Sequence, residues 1–519
     1  MPNSTFSDAP LNNTVARSED HRSRGRRATW VVGYLCLLAA IRVFVFSAAF
    51  PFFNNVDEQF HFDLICKYSH GNIPKNPALF DVESAKLFAL YSSAEFLHGS
   101  NEFPGSRIPP PIYTLSETVR KSPYDDAFAF WSRAHNRNAT EFPLYFAIAG
   151  IWYDIGKFFG IGELDLLYWV RLINIPLYVA LVWFSFLLAK TIQPDSELVY
   201  LGVPLLLVAF PQDVYYSLTN DVCSAPLGAM CLYLLIKFHQ TEPPRLSHAI
   251  GAGLSVAALL LTKLNNAPIY AIVAIVAAAR LWKLRSRKVN RGYVEILLLL
   301  IAAILPAGLW MIRNRLFVGD FTATAEKTAT LGWTSKPFSE YWNHPIFTPS
   351  GFATFWYEAI SSFWRGEICW AGARLSAGWI DAIYVATSTL FLLSLIVASA
   401  ISSKRRSWTN PQAMGVSAFL FVLCLTMLIY LSISFDFGDC PYPSRQSPFF
   451  TSGRLMLVGL APFMIMYVSG LEALLGWLKL RSVGWLILVA IAAVTMLSEI
   501  AMSMNVFASQ YNWFHIIRL

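Results

Sequence analysis

The sequence predicts an all-α, polytopic membrane protein with about eleven spanning helices and large outer loops that contain interfacial helices. Of its 519 residues 55% are hydrophobic and only 14% charged. Apolar stretches of about 20 residues recur along the chain, the length that crosses about 30 Å of hydrocarbon. Lys and Arg fall in short clusters between those stretches. The formal charge of +7 is therefore read as a topology signal rather than a nucleic-acid surface.

The first 28 residues form a polar tail that ends in Arg22, Arg24, Arg26 and Arg27. No small-residue cleavage pattern follows the next apolar run, which predicts an uncleaved first helix. Spanning segments are expected at 29–49, 167–189, 196–217, 220–238, 247–264, 266–282, 293–312, 380–402, 411–433, 454–478 and 483–505. With the N-terminus in the cytoplasm, the cytoplasmic connections carry Lys190; Lys237 and Arg245; Lys283, Arg285, Arg287, Lys288 and Arg291; Lys404, Arg405 and Arg406; and Lys479 and Arg481. That distribution obeys the positive-inside rule. Pro143–Gly162 is apolar enough to span, but counting it would put Lys237 and Arg245 outside. It carries Tyr153, Asp154 and Lys157 in its second half and is placed as an amphipathic helix on the outer interface.

One membrane domain over 29–506 is expected, with non-cytoplasmic loops at 50–166, 313–379 and 434–453 and a short outer tail at 507–519. No internal repeat is evident. Cys36, Cys231 and Cys424 lie in apolar segments as small core residues, and no CxxC pair points to zinc. Cys66, Cys369 and Cys440 fall in outer loops, where chemistry allows one disulfide.

Three constellations carry chemistry. Asp57-Glu58 with His61 follows the first helix, and at i and i+4 Asp57 and His61 would share a helix face as base and orienting partner. Asn220-Asp221 opens the fourth segment on the same side, where an Asp is otherwise an ordinary helix cap. If a divalent cation is used, Asp57 and Asp221 are the carboxylates to hold it. Lys263, Arg313, Arg315 and Arg454 each stand flush against an apolar helix on that side. Singly each reads as snorkelling to the interface, but together they suggest a phosphate pocket. Glu95, Glu102, Arg107, Glu141, Glu367, Arg365 and Arg374 in the outer loops read as solvated surface.

These residues resemble, in order, those of the multi-spanning GT-C superfamily glycosyltransferases, which include protein mannosyltransferases and lipid A aminoarabinose transferases. Asn54-Asn-Val-Asp57-Glu58-Gln-Phe-His61-Phe is similar to the acidic motif of the family's first outer loop. Glu141-Phe-Pro143-Leu-Tyr145 resembles the start of its interfacial helix, and Arg171-Leu-Ile-Asn the opening of its second crossing. Pro211 to Asp221, Leu261-Thr-Lys263, Arg313-Asn-Arg315 with Gly319-Asp320, and Gly453-Arg454 with Pro462 match later elements.

The resemblance implies transfer, with inversion, of a sugar from a polyprenyl-phosphate carrier to a lipid, glycan or protein acceptor on the non-cytoplasmic face. It gives Asp57 the base role, Glu58 and His61 orienting roles, and phosphate binding to Lys263 and some of Arg313, Arg315 and Arg454, with Asn220 and Asp221 beside them. Residues 220–221 are not an Asp-x-Asp pair, so metal dependence stays open. Membrane lipids are expected partners and nucleic acid is not. The rival readings are a lipid-linked-sugar flippase or transporter, which would need charges lining a midplane cavity, and a non-catalytic assembly subunit.

Overall fold

The computed structural model describes residues 11–242, 245–285, 290–401, 410–440 and 442–516. Of the expected basic clusters, Arg287 with Lys288 and Lys404 to Arg406 lie outside the described residues, as does the start of the polar tail.

Helices dominate. α1 (Leu11–Ala49) leads into α2 (Glu58–Ser69), α3 (Val82–Tyr91), α4 (Glu117–Arg133) and α5 (Leu144–Phe158). The bundle continues through α6 (Glu163–Arg171), α7 (Asn174–Ile192), α8 (Glu197–Val208), α9 (Ser224–Gln240), α10 (Leu246–Thr262), α11 (Ile269–Arg285) and α12 (Asn290–Phe317). After α13 (Ala325–Thr330) and α14 (Pro349–Arg365) come α15 (Gly378–Ile401), α16 (Pro411–Ser434), α17 (Leu460–Trp477), α18 (Gly484–Phe507) and α19 (Trp513–Ile516). Among the described residues β1 (Thr334–Ser335) pairs with β4 (Phe435–Asp436) and β2 (Cys369–Trp370) with β3 (Ala373–Arg374), both antiparallel, and an isolated antiparallel bridge joins Leu79 and His135.

Among the described residues nine helical spans are long and apolar enough to cross a membrane. The expected segments at 196–217 and 247–264 form the shorter apolar helices Glu197–Val208 and Leu246–Thr262. At 12 residues α8 rises only about 18 Å. It stops because Pro211 disfavours helical geometry at Phe210, and an irregular buried segment takes over from Ala209 to Cys223. α5 has 15 residues, a rise of about 22 Å, too short to span. It buries Tyr145, Phe146, Ala149 and Tyr153 and exposes Ile148, Ile151, Ile155 and Phe158.

α12 shows why the chain is an integral membrane protein. Leu297, Ile301, Ile304, Leu305, Leu309 and Ile312 stand exposed at helical spacing, a surface that only lipid satisfies. The span Gly453–Trp477, most of which is α17, is the opposite case, with 89% of its most apolar stretch buried. Its Gly470 allows close packing on α15, since a Cβ there would lie 1.9 Å from the Phe391 carbonyl oxygen. All seven cysteines are free thiols, Cys66, Cys369 and Cys440 among them.

Candidate functional site

The loop after α1 is pinned from inside. Glu58 is fully buried and accepts hydrogen bonds from the backbone N–H groups of Phe53, Asn54 and Leu218. Arg171, also fully buried, donates to the same carboxylate from Nε at 3.0 Å and Nη2 at 2.7 Å. Its remaining donors reach the carbonyls of Ser47, Phe50 and Pro51. Glu58 therefore has no lone pair to spare for a substrate and acts by shaping the loop.

That shaping leaves Asp57 in the left-handed region at φ 69°, as the N-cap of α2. Its carboxylate does not pair with His61, as helical spacing suggests. Asp57 lies outside the helix, its carbonyl accepts from the His61 N–H, and its side chain is gripped by Arg137, a residue the sequence did not single out. Burial alone would raise the Asp57 carboxyl, but Arg137, then Arg454 and Lys327, hold it well below the usual carboxylate range. His61 stacks on Phe146 with ring centroids 5.6 Å apart, and its Nδ1 is buried without a hydrogen-bond partner. Burial lowers its imidazole to about 4, so it is neutral at ordinary pH.

Around these two stand alternating charges. Asp221 accepts from Lys263 Nζ at 2.7 Å and from Thr219 Oγ1, and Arg454 Nε lies 3.9 Å from its other oxygen. Arg454 is closer to Glu367, at 3.2 Å. Glu141 accepts from Lys327 Nζ at 2.7 Å and from Asn220 Nδ2 at 2.6 Å. Burial opposes ionisation of Glu141, but Lys327, Lys263 and His61 bring it down to about 2. Four carboxylates, Asp57, Glu141, Asp221 and Glu367, thus meet four cations, Arg137, Lys263, Lys327 and Arg454, at one end of the bundle.

A fifth carboxylate borders this centre. Asp213, in the irregular segment after α8, accepts from the Ile368 N–H at 2.6 Å while its Oδ1 is buried and unpartnered. Burial, with Glu367 nearby, pushes its carboxyl up to about 7. Gly366, at φ 89°, is needed beside it, because a Cβ would fall 1.9 Å from Asp213 Oδ1.

Asp57, His61, Asn220, Asp221, Lys263 and Arg454 are therefore brought together, with Glu58 beneath them. Arg313 and Arg315 are not. Arg313 donates to the Pro74 carbonyl at 2.6 Å and lies over Trp310, while Arg315 binds the Gly319 carbonyl. No hydrogen bond or ion pair joins either to the cluster among the described residues. Glu141 and Glu367, expected on the solvated surface, are buried in the cluster, with side chains 14% and 10% exposed. Glu95 and Arg365 are buried as well, bonded to Ser509 and Asp381, whereas Glu102 and Arg107 are exposed as expected. Tertiary pairing, which spacing does not encode, draws these charges inward.

Among the described residues no group of three or more His, Cys, Asp and Glu side chains could hold a metal ion. Asp57 and Asp221 are each matched by a cation, Arg137 and Lys263 respectively. Nearby, an apolar groove of about 930 Å3 lies between α14, α15 and α16, lined by Trp356, Leu392, Met414 and Phe421. Phe421 meets Phe363, whose backbone packs under Gly453, the neighbour of Arg454.

The family described as Predicted membrane protein (DUF2142) matches residues 41–440. No curated protein matches the sequence. Among solved structures, the chain is similar to ArnT from Cupriavidus metallidurans in the apo state, at 12% identity over 86% of this chain and 78% of that one, with a TM-score of 0.34. For ArnT bound to undecaprenyl phosphate the identity is 13%, the coverage the same and the TM-score 0.35. The archaeal oligosaccharyltransferase AglB from Archaeoglobus fulgidus, in complex with an inhibitory peptide and a dolichol-phosphate, is 12% identical over 93% of this chain and 56% of that one, with a TM-score of 0.41.

Proposed function

The chain belongs to the DUF2142 family of predicted membrane proteins, and we propose that it is an inverting glycosyltransferase that moves a sugar from a polyprenyl-phosphate carrier to an acceptor on the non-cytoplasmic face. The observation that carries this reading is the gathering of Arg137, Lys263, Lys327 and Arg454 around Asp57 and Asp221. A carrier phosphate leaving as an anion needs such cations, and an acceptor hydroxyl or amine needs a carboxylate to take its proton.

In this mechanism the acceptor's nucleophile attacks the anomeric carbon opposite the phosphate. The new bond to that carbon forms as the carbon–oxygen bond to the phosphate breaks, and the proton passes to Asp57. Arg137 holds Asp57 before the carrier arrives. An arriving phosphate competes for Arg137, Lys327 and Arg454, which weakens their hold on Asp57 and makes it a better base. Neutral His61 orients the acceptor, and the apolar groove beside Phe421 takes the carrier's hydrocarbon chain. The acceptor is a lipid, glycan or protein bearing that nucleophile.

Reconstituted Asp57→Asn tests the base. Transfer should fall about 100-fold or more with carrier binding retained; unchanged transfer removes Asp57 from the role.

A further inference from the structure

α8 ends at Val208 with its last carbonyls inside the bundle, where unsatisfied backbone groups are costly. One side chain meets the last turn and a second meets the segment that follows it: Tyr178 Oη donates to the Leu207 carbonyl, and two residues past the helix Arg42 Nη2 donates to the Phe210 carbonyl at 2.6 Å. A cation suits a helix C-terminus, but one buried at 6% exposure needs a counter-charge. Glu499 of α18, 3% exposed, supplies it, accepting from Arg42 Nε at 2.9 Å and Nη2 at 2.6 Å. Tyr216, at the far end of the same segment, is bonded to both Arg42 and Glu499.

We infer that Arg42 and Glu499 are positioning residues: from within the membrane they fix the 209–217 segment that carries Asp213 and leads directly into Asn220-Asp221. The pair binds this segment at both ends, at the Phe210 carbonyl and the Tyr216 hydroxyl. From its other side the segment is held by Glu58, through the Leu218 N–H, and by Asn174, through the Tyr215 and Ser217 carbonyls. An α1–α18 staple alone would have no need of Phe210 or Tyr216. The inference rests on the proposed transfer only for what the positioned carboxylates then do.

The test is hydrogen–deuterium exchange on the full chain in detergent or nanodisc, comparing wild type with Arg42→Met/Glu499→Leu, which removes both charges together. Amides of 209–219 are expected to exchange about tenfold faster or more while α1 and α18 keep their protection. Unchanged exchange at 209–219 overturns the inference, and so does a rise confined to α1 and α18, which would make the pair a helix staple. If the double variant does not fold, Tyr216→Phe decides: faster exchange over 213–218 is expected, and no change overturns. Where wild type transfers sugar, the double variant should lose about tenfold of that rate. Absent transfer in wild type would sink the proposed reaction while leaving the exchange result standing.

Discussion

Arg171 and Glu58 lie 113 residues apart in sequence and meet as a fully buried pair, with Arg171 Nη2 2.7 and 2.8 Å from the two Glu58 oxygens. The pair ties the end of α6 to the loop that holds Asp57 in its left-handed conformation. Breaking one side of such a pair strands a buried charge. Glu58→Gln should therefore destabilise the protein by about 3–5 kcal/mol, and Arg171→Lys should also destabilise it, because an ammonium cannot reach both oxygens. Thermal unfolding in detergent checks both.

Arg137 is expected to set the acidity of Asp57 in the free protein. Arg137→Gln removes the nearest cation, so the Asp57 carboxyl should rise toward the ordinary range. The acid limb of the pH–rate profile for kcat/KM then moves to higher pH than in wild type. A limb that stays in place would detach Asp57 from that limb.

The phosphate-binding cations should separate cleanly. Lys263→Ala and Arg454→Ala each remove a cation from the cluster and should weaken binding of polyprenyl phosphate by about tenfold or more. Arg313→Ala and Arg315→Ala should change it little, since those side chains serve backbone carbonyls elsewhere. Quenching of tryptophan fluorescence on titration with the carrier lipid measures all four.

Asp213 gives a pH dependence of stability with a definite sign. Its carboxyl is raised to about 7 in the folded protein, from an ordinary value of 3.8, so the folded state holds a proton that the unfolded state has lost. Its contribution is fully present below pH 3.8 and declines as pH rises to about 7. His61 is displaced the other way, to about 4 from 6.5, and its contribution is present above 6.5 and lost as pH falls toward 4. Asp213→Asn should remove the first slope and leave the second, so the variant's melting temperature should climb from pH 4 to 7 relative to wild type. Parallel curves would contradict the burial of an uncompensated Asp213.

The membrane bundle was legible because apolar runs near 20 residues and basic clusters are both local signals. So was α5, which its polar second half and the inside placement of Lys237 and Arg245 separate from a crossing. The early stop of α8 was less so. Leu205 to Leu218 is apolar enough to continue a helix, and only Pro211 and Gln212-Asp213 mark the break. Of the residues that the charged cluster brings together, Asp57, His61, Asp221, Lys263 and Arg454 were legible as candidates because they lie close to apolar segments. Arg137, Glu141, Lys327 and Glu367 sit in polar loops, where a buried charge and a solvated one look alike in sequence. Their partners lie 79 to 186 residues away for Asn220–Glu141 and Lys327–Glu141, distances that no spacing rule spans. Arg42 and Glu499 are each the one charged residue of an apolar stretch, 29–49 and 484–507, and nothing local in the sequence shows that the two meet.

Release of free polyprenyl phosphate by the purified protein in vesicles, supplied with a panel of polyprenyl-phosphate sugars and a membrane extract as acceptor, tests the central claim most directly. The account predicts release that depends on the attached sugar, an inverted anomeric centre in the product, and loss of both in Asp57→Asn. No release with any sugar, or equal release from wild type and Asp57→Asn, would contradict it.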